Sequence, residues 1–124
     1  MSLFSGLFGN ASSGSPEEAE RLLADYLIPG ETIELNYKLV RDYIIFTSHR
    51  LIIVDIQGIG KKKAFSSLPY RSISRFSVEL AGSFDLDSEL DIYISSATDP
   101  VYALQFRGDK LVKEVQQALA QAIL

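Results

Sequence analysis

Four carboxylates alternate with apolar residues in one short segment of the chain. They are Asp85, Asp87, Glu89 and Asp91. Side chains two residues apart in an extended strand share a face and lie about 7 Å from one another, so we expect all four on one face. Hard cations prefer oxygen ligands, but an EF-hand loop needs glycine and glutamate where Leu90 and Ser96 stand. We therefore predict no metal here, and interpret the segment as a solvated strand face or, second, as a docking surface for a basic partner.

Lys61, Lys62 and Lys63 form the one basic cluster of the sequence. Adjacent lysines on a turn are usually solvated, and without arginine forks or a nest of donors they select poorly for phosphates. A phosphoinositide pocket is therefore the weaker interpretation. Residues 58–61 (GIGK) also fail as a phosphate loop, because Asp55 and Lys62 replace the first glycine and the hydroxyl residue of that motif. Their glycines fit a hairpin tip.

Few residues could support catalysis. The chain has no cysteine, which excludes disulfides, thiolate metal sites and cysteine nucleophiles, and its one histidine is His49. Ser48 precedes it, but neighbouring strand residues point to opposite faces and no triad partner lies nearby in the sequence. We predict a protein that is not an enzyme and has no cofactor. The net charge of −4 argues against nucleic acid as a partner.

Length and composition indicate one folded domain. The chain has 124 residues, of which 47% are hydrophobic and 23% charged, as is usual for a globular domain. The first ten residues lack the features of a signal peptide, and the longest apolar runs are far shorter than a membrane span. We therefore expect a cytoplasmic protein.

Residues 1–15 are predicted to be a flexible tail and linker, and residues 16–124 a domain. Four large apolar side chains in the tail share one helical face: Leu3, Phe4, Leu7 and Phe8. The tail is interpreted either as a frayed terminus or as a segment that orders on a partner, another subunit or a membrane. A helix is expected to begin at Pro16, capped by Ser15, and to end at Pro29.

After residue 30 the apolar period changes from that of a helix to two, which predicts strands. Seven are expected, at residues 31–39, 43–47, 50–56, 62–68, 76–80, 90–94 and 102–106, followed by a helix that Asp109 caps and that buries Leu111, Val115, Ala118, Leu119 and Ala122. Short connections favour antiparallel pairing. Seven strands with one apolar face must close into a barrel or form two sheets.

The second and third predicted strands do not alternate. Residues 43–46 and 51–54 are apolar on both faces, and antiparallel strands of this kind are covered on both sides. One cover is the interior of the domain. The other must be the N-terminal helix, a neighbouring subunit, or both, which is a physical reason to expect self-assembly.

Four ordered motifs resemble the bacterial pleckstrin-homology (PH) domains. They are residues 46–52 (FTSHRLI), 57–62 (QGIGKK), 69–73 (PYRSI) and 82–90 (GSFDLDSEL). The resemblance covers residues 16–124 and implies a PH-like fold, mainly β with helices: a seven-stranded, antiparallel, bent barrel with a C-terminal helix, to which this chain adds an N-terminal one. It also implies ring-shaped homo-oligomers, the pentamer among them, with no settled molecular function.

These observations predict a non-catalytic module for oligomerisation and protein binding. In a head-to-tail ring, Lys61–Lys63 of one subunit are expected to face the acidic segment of the next. The alternative is a peripheral membrane adaptor, in which the apolar tail inserts and lysines meet anionic headgroups, although the net charge predicts weak binding. A hydrolase or transferase is a remote third class.

Overall fold

The computed structural model describes residue 4 and residues 14–58, 62–83 and 86–124. The chain forms two compact units, Met1–Leu68 and Pro69–Leu124. Its elements, in order, are α1 (Pro16–Leu23), β1 (Ile33–Lys38), β2 (Asp42–Thr47), β3 (Arg50–Gln57), β4 (Lys62–Pro69), a 3₁₀ turn (Tyr70–Ser72), β5 (Ile73–Glu79), β6 (Asp87–Ile94), β7 (Tyr102–Arg107) and α2 (Lys110–Ile123). The predicted order of helix, seven antiparallel strands and helix is confirmed.

Helix α1 begins where the sequence predicts but ends earlier. The Ser15 hydroxyl accepts the Glu18 N–H at 3.3 Å, and Pro16 occupies the first turn. The predicted end at Pro29 is wrong, because the helix stops at Leu23. Beyond it, the N–H groups of Tyr26 and Leu27 both donate to the Leu23 carbonyl. The Arg50 guanidinium donates to the Tyr26 carbonyl at 2.6 Å. An α-helix would pair the Tyr26 carbonyl with the Gly30 N–H, so the Arg50 bond replaces one that a longer helix would make.

The first unit contains a four-stranded sheet in the order β1-β2-β3-β4. A register irregularity between Ile33 and Leu35 interrupts the predicted alternation of β1. Asn36, which the alternation places on the solvent side, is instead 5% exposed. The chain around Gly14 covers it: the Gly14 N–H bonds to the Asn36 carbonyl at 3.3 Å, and a Cβ at Gly14 would collide with the Asn36 amide.

Both faces of β2 and β3 are covered within the chain. On one face, the helix residues Ala19 and Leu23 form a buried cluster with Tyr43, Ile45, Ile52 and Val54. On the other face, Ile44 and Phe46 pair with Ile53 and Leu51, and all four are buried. Of the two covers that the sequence allows for the outer face, α1 is therefore the one present in a single chain.

The second unit contains an antiparallel sheet in the order β5-β6-β7, which α2 contacts along all three strands. The buried side of α2 is Val112, Val115, Ala118 and Leu119, whereas the predicted Leu111 and Ala122 are half-buried. Asp109 precedes the helix but makes no capping bond with its side chain. Its carboxylate instead accepts the Ala81 N–H at 3.0 Å, so the predicted cap is wrong in its bonding partner.

The predicted position of Leu80 is also wrong. Leu80, predicted to be in the fifth strand, lies beyond its end and is 47% exposed. Neither described helix has the length and apolar character needed to cross a membrane.

Candidate functional site

Strand β6 carries its acidic residues on one side. Asp87, Glu89 and Asp91 are exposed or half-buried, whereas the alternate residues Ser88 and Leu90 are buried. Asp85 lies outside the described residues. The antiparallel register adds one residue that the sequence reasoning missed, because Glu79 of β5 lies directly opposite Glu89. We refer to Glu79, Asp87, Glu89 and Asp91 as the acidic face.

Like charges crowd one another around Glu89, whereas Asp87 lies directly opposite Arg107 of β7. A hydrogen bond with Asp91 raises the pKa of Glu89 above its ordinary value, and partial burial and the charges of Asp91 and Glu79 raise it further. In addition, the Asp91 Oδ1 atom is buried without a hydrogen-bond partner. Cross-strand like charges destabilise a sheet, so an incoming basic group would relieve a cost that the isolated chain carries.

Removing one of these charges is expected to stabilise the protein. Because folding raises the pKa of Glu89, the stability associated with this residue is lost as pH rises from its unfolded pKa through its folded pKa. Glu89→Gln should therefore raise Tm at pH 7 by about 1–4 °C. The difference should vanish near pH 3, where the wild-type carboxyl is protonated. Thermal melts of the exposed control Glu20→Gln should match wild type at both pH values; a lower Tm for Glu89→Gln at pH 7 would contradict this account of the acidic face.

Strand β4 begins within the lysine cluster. Lys61 lies outside the described residues, and Lys62 and Lys63 are the first two residues of β4, both exposed. Adjacent strand residues point to opposite faces. Lys63 lines a pocket beside α1, on the side where Phe65 packs against the α1 cluster, so Lys62 points away from it. The two lysines thus serve different surfaces rather than one basic patch.

Ser48 and His49 meet, contrary to the sequence expectation. The Ser48 hydroxyl lies 2.8 Å from His49 Nδ1, because both residues sit in the tight β2–β3 turn, where strand alternation does not apply. The same hydroxyl accepts the Thr32 N–H at 3.0 Å, and the Ser48 N–H bonds to the Thr32 carbonyl. Both side chains are exposed, and neither lines the pocket beside α1. The bonds of Ser48 thus tie the β2–β3 turn to Thr32, just before β1.

An ion pair between the buried Glu31 and the partly exposed Arg50 lies at the start of the sheet and has no counterpart in the sequence reasoning. Glu31, 7% exposed, accepts two bonds from Arg50, Nε at 2.8 Å and Nη2 at 2.9 Å. The Thr47 hydroxyl and the Ile28 N–H also donate to its carboxylate. Nineteen residues separate the two charges. The pairing of β1 with β2, in which Ile33 lies opposite Thr47, brings Glu31 to the β2–β3 turn where Arg50 begins β3. No local spacing therefore marks the two residues.

Of the four apolar residues of the tail, the structure describes Phe4. Phe4 is 5% exposed, and its ring packs edge-on against Phe46 at 5.3 Å between centroids. Leu3, Leu7 and Phe8 lie outside the described residues. Their role as a membrane or partner contact stays a prediction, and Phe4 as placed contacts its own chain.

Among residue 4 and residues 14–58, 62–83 and 86–124, no group of three or more histidine, cysteine, aspartate or glutamate side chains is placed to hold a metal ion.

Comparisons with known proteins place these features in a family. The family model described as bacterial PH domain matches residues 2–123. The uncharacterised Bacillus subtilis (strain 168) protein YjqA is 54% identical over 97% of both chains, and the uncharacterised YozO of the same organism is 37% identical over 94% of this chain and 96% of its own. Neither name assigns a reaction.

Two solved structures share the fold. A pleckstrin homology domain from Shewanella amazonensis SB2B superposes with a TM-score of 0.80 at 39% identity, covering 94% of each chain. A DUF1696-family protein with a pleckstrin-homology domain from Shewanella loihica PV-4 gives 0.74 at 34% identity, covering 93% of this chain and 98% of its own. The matched family model, the relatives and the shared fold agree with the four sequence motifs, and the chain belongs to the bacterial PH domain family.

Proposed function

We propose that this protein is a non-catalytic, cytoplasmic binding module that assembles head-to-tail with copies of itself. The observation that supports it is the acidic face, where Glu79 and Glu89 stand in direct opposition and Asp91 adds a third charge beside them. Such a surface is costly in an isolated chain and complementary to cationic groups. The chain supplies exposed lysines of its own at the start of β4.

A contact between two copies is heterologous when it joins one surface of the first copy to a different surface of the second. Repeated from copy to copy, it closes into a ring when the rotation permits, rather than into a two-fold dimer. The contact proposed here joins the acidic face of one copy to Lys61–Lys63 of the next. Lys62 and Lys63 point to opposite faces of β4, so one of the two carries more of the contact than the other.

The apolar faces of β2 and β3 no longer argue for assembly, because α1 covers the outer one within the chain. The proposal therefore rests on charge. Exposed ion pairs contribute only about 0–1 kcal/mol each, and salt screens them. We accordingly expect an assembly of moderate strength that weakens as the salt concentration rises.

Charge reversal tests the proposed contact. Changing Lys61, Lys62 and Lys63 to glutamate should lower the oligomer mass measured by light scattering after size-exclusion chromatography. Changing Asp85, Asp87 and Glu89 to lysine in the same chain should partly restore that mass. A matched control reverses three exposed basic residues of the second unit, Arg71, Lys110 and Lys113, and alters the net charge equally. The mass of the control should stay that of the wild type.

The two lysines of β4 can then be separated by single reversals. Of Lys62→Glu and Lys63→Glu, the one that lowers the mass identifies the face of β4 that meets the acidic surface. An unchanged mass for the triple lysine variant at low micromolar protein would exclude the contact and return the lysines to a solvated strand end.

A peripheral membrane adaptor has less support. Phe4, one of the four tail residues that would insert, is buried against Phe46. The acidic face and the net charge of −4 also oppose approach to anionic lipid.

A further inference from the structure

A pocket of about 320 Å³ lies in the first unit between α1 and the sheet, and Lys63 is the one residue of its described lining that the proposed self-assembly also uses. Its lining comes from one helix and three strands: Glu18, Arg21, Leu22, Tyr43, Ile56 and Lys63. We call it the α1 pocket. Its volume is at the lower end of the range of about 300–1,000 Å³ that ligand pockets show. A pocket of this size fits a small molecule and not an acyl chain.

The apolar part of the α1 pocket is held in place by the core. Tyr43 belongs to the buried cluster that joins α1 to the sheet, and Leu22 and Ile56 pack against that cluster. Tyr43 is buried and Leu22 and Ile56 are half-buried, so packing against the cluster restrains all three. They supply preformed apolar contacts in a pocket whose lining surface is mostly polar.

The polar part of the pocket carries an excess of positive charge. Arg21 and Lys63 line it, and the Lys38 ammonium lies 5.8 Å from the centroid of the Tyr43 ring. Among the described residues of the lining, Glu18 is the one carboxylate, and its hydrogen bond and charge act on the Tyr43 hydroxyl. The two lining cations exceed it by one positive charge, which attracts an anion, and the charge of Glu17 also acts on Arg21. Glu18 remains able to accept a hydrogen bond from a ligand.

Tyr43 belongs to both the apolar and the polar part of the pocket. Its side chain is 7% exposed, and burial followed by the bond to Glu18 raises the pKa of its hydroxyl above the ordinary value. The hydroxyl therefore stays protonated at neutral pH and adds no negative charge to the pocket.

We propose that the α1 pocket binds a small organic anion. The apolar or aromatic body of the ligand lies on Leu22, Ile56 and the Tyr43 ring, and its phosphate or carboxylate lies between Arg21 and Lys63. Phosphate monoesters occur both as free small molecules and as lipid headgroups, and the pocket recognises the chemistry that they share. All the residues of this site lie in one compact unit, so the site needs no second copy, although Lys63 is shared with the proposed self-assembly contact.

The test titrates phenyl phosphate into the ¹⁵N-labelled full-length chain and follows amide chemical shifts. We expect saturable shifts in α1, at Tyr43, at Ile56 and at Lys63, with Kd of about 1 mM for a ligand of this size. Phenol has only the aromatic ring and inorganic phosphate only the anion, so each should bind at least about fivefold more weakly than phenyl phosphate. Shifts that do not saturate, that map elsewhere, or that inorganic phosphate reproduces at equal affinity would overturn the proposal.

Neighbouring lysines provide a matched control. Arg21→Gln and Lys63→Gln should each weaken phenyl phosphate binding about fivefold or more, and Lys63→Arg should retain most of it. Lys62→Gln removes the same charge from the opposite face of β4 and should bind like wild type. Equal losses in Lys62→Gln and Lys63→Gln would show that only the net charge matters and would refute a site.

Vesicles of phosphatidylcholine with phosphatidic acid separate the two sources of the anion. Co-sedimentation that Arg21→Gln abolishes would identify a lipid headgroup as the ligand in this pocket. Binding of phenyl phosphate without co-sedimentation would identify a free small molecule. Failure of the charge-reversal experiment on self-assembly would leave either result intact, since that experiment is scored by mass and not by ligand binding.

Discussion

Glu31→Gln is expected to lower the free energy of unfolding by about 3 kcal/mol at pH 7. The substitution leaves the Arg50 guanidinium, which donates to Glu31 at 2.8 and 2.9 Å, without its carboxylate. Removing one member of a buried pair costs about 3–5 kcal/mol because the other charge stays desolvated. Arg50 is still 23% exposed and keeps its bonds to Ser67 and to the Tyr26 carbonyl, which favours the lower end of that range.

The same substitution should remove a pH dependence. The Arg50 guanidinium, helped by donors from Thr47 and Ile28, lowers the pKa of Glu31 to about 2 against the effect of burial. In the unfolded chain a glutamate has a pKa of about 4.3, so the stabilisation is complete above that value and is lost as pH falls toward 2. A shift of this size corresponds to about 3 kcal/mol.

Urea unfolding between pH 7 and pH 2.5 measures both effects. Wild type should lose stability steeply below pH 4, whereas Glu31→Gln should start lower and fall less. The control Glu20→Gln, on the exposed side of α1, should follow the wild-type curve. Equal acid slopes for wild type and Glu31→Gln would show that the ion pair does not stabilise the fold.

Leu119→Ala is expected to lower the free energy of unfolding by about 2–5 kcal/mol, as truncations of buried leucine do. Leu119 is fully buried on the side of α2 that faces the second sheet, beside Val115 and Ala118. The lost side chain leaves a cavity that a helix packed on three strands cannot close by small movements.

Denaturant melts at neutral pH test this, with Gln121→Ala as the control on the exposed side of the same helix. The control should change stability by less than about 0.5 kcal/mol. A loss below about 1 kcal/mol for Leu119→Ala would mean that α2 contributes little to the cohesion of the second unit.

The sequence predicted the elements well because each has a strong local signal. The alternation of Phe76 and Val78, and of Leu90 and Ile92, follows directly from a strand with one buried face, and the apolar runs of β2 and β3 from two buried faces. The Ser15 cap is equally local, because its bonding partner is three residues away.

Features set by distant residues were missed. Arg50, the first residue of β3, donates to the Tyr26 carbonyl just after α1 from 24 residues away in the sequence. The pairing of Glu79 with Glu89 depends on the hairpin register. The burial of Asn36 depends on a contact with the segment at Gly14. None of these partners lies within one helical turn or one strand repeat of the other.

The lysine cluster illustrates a different limit. Three consecutive identical charges look like one patch in the sequence, but β4 begins at Lys62 and its pleat sends Lys62 and Lys63 to opposite faces. The same pleat brings Lys63 to Arg21 and Tyr43 in the α1 pocket, a combination that requires three separate elements.

Light scattering of the wild-type chain after size-exclusion chromatography, at low micromolar protein and low salt, tests the proposed self-assembly most directly. We expect a mass of at least three times the 13.8 kDa of one chain, because a head-to-tail ring needs three or more copies, and we expect that mass to fall as salt is added. A single species of 13.8 kDa under these conditions, or a two-fold dimer insensitive to salt, would contradict it.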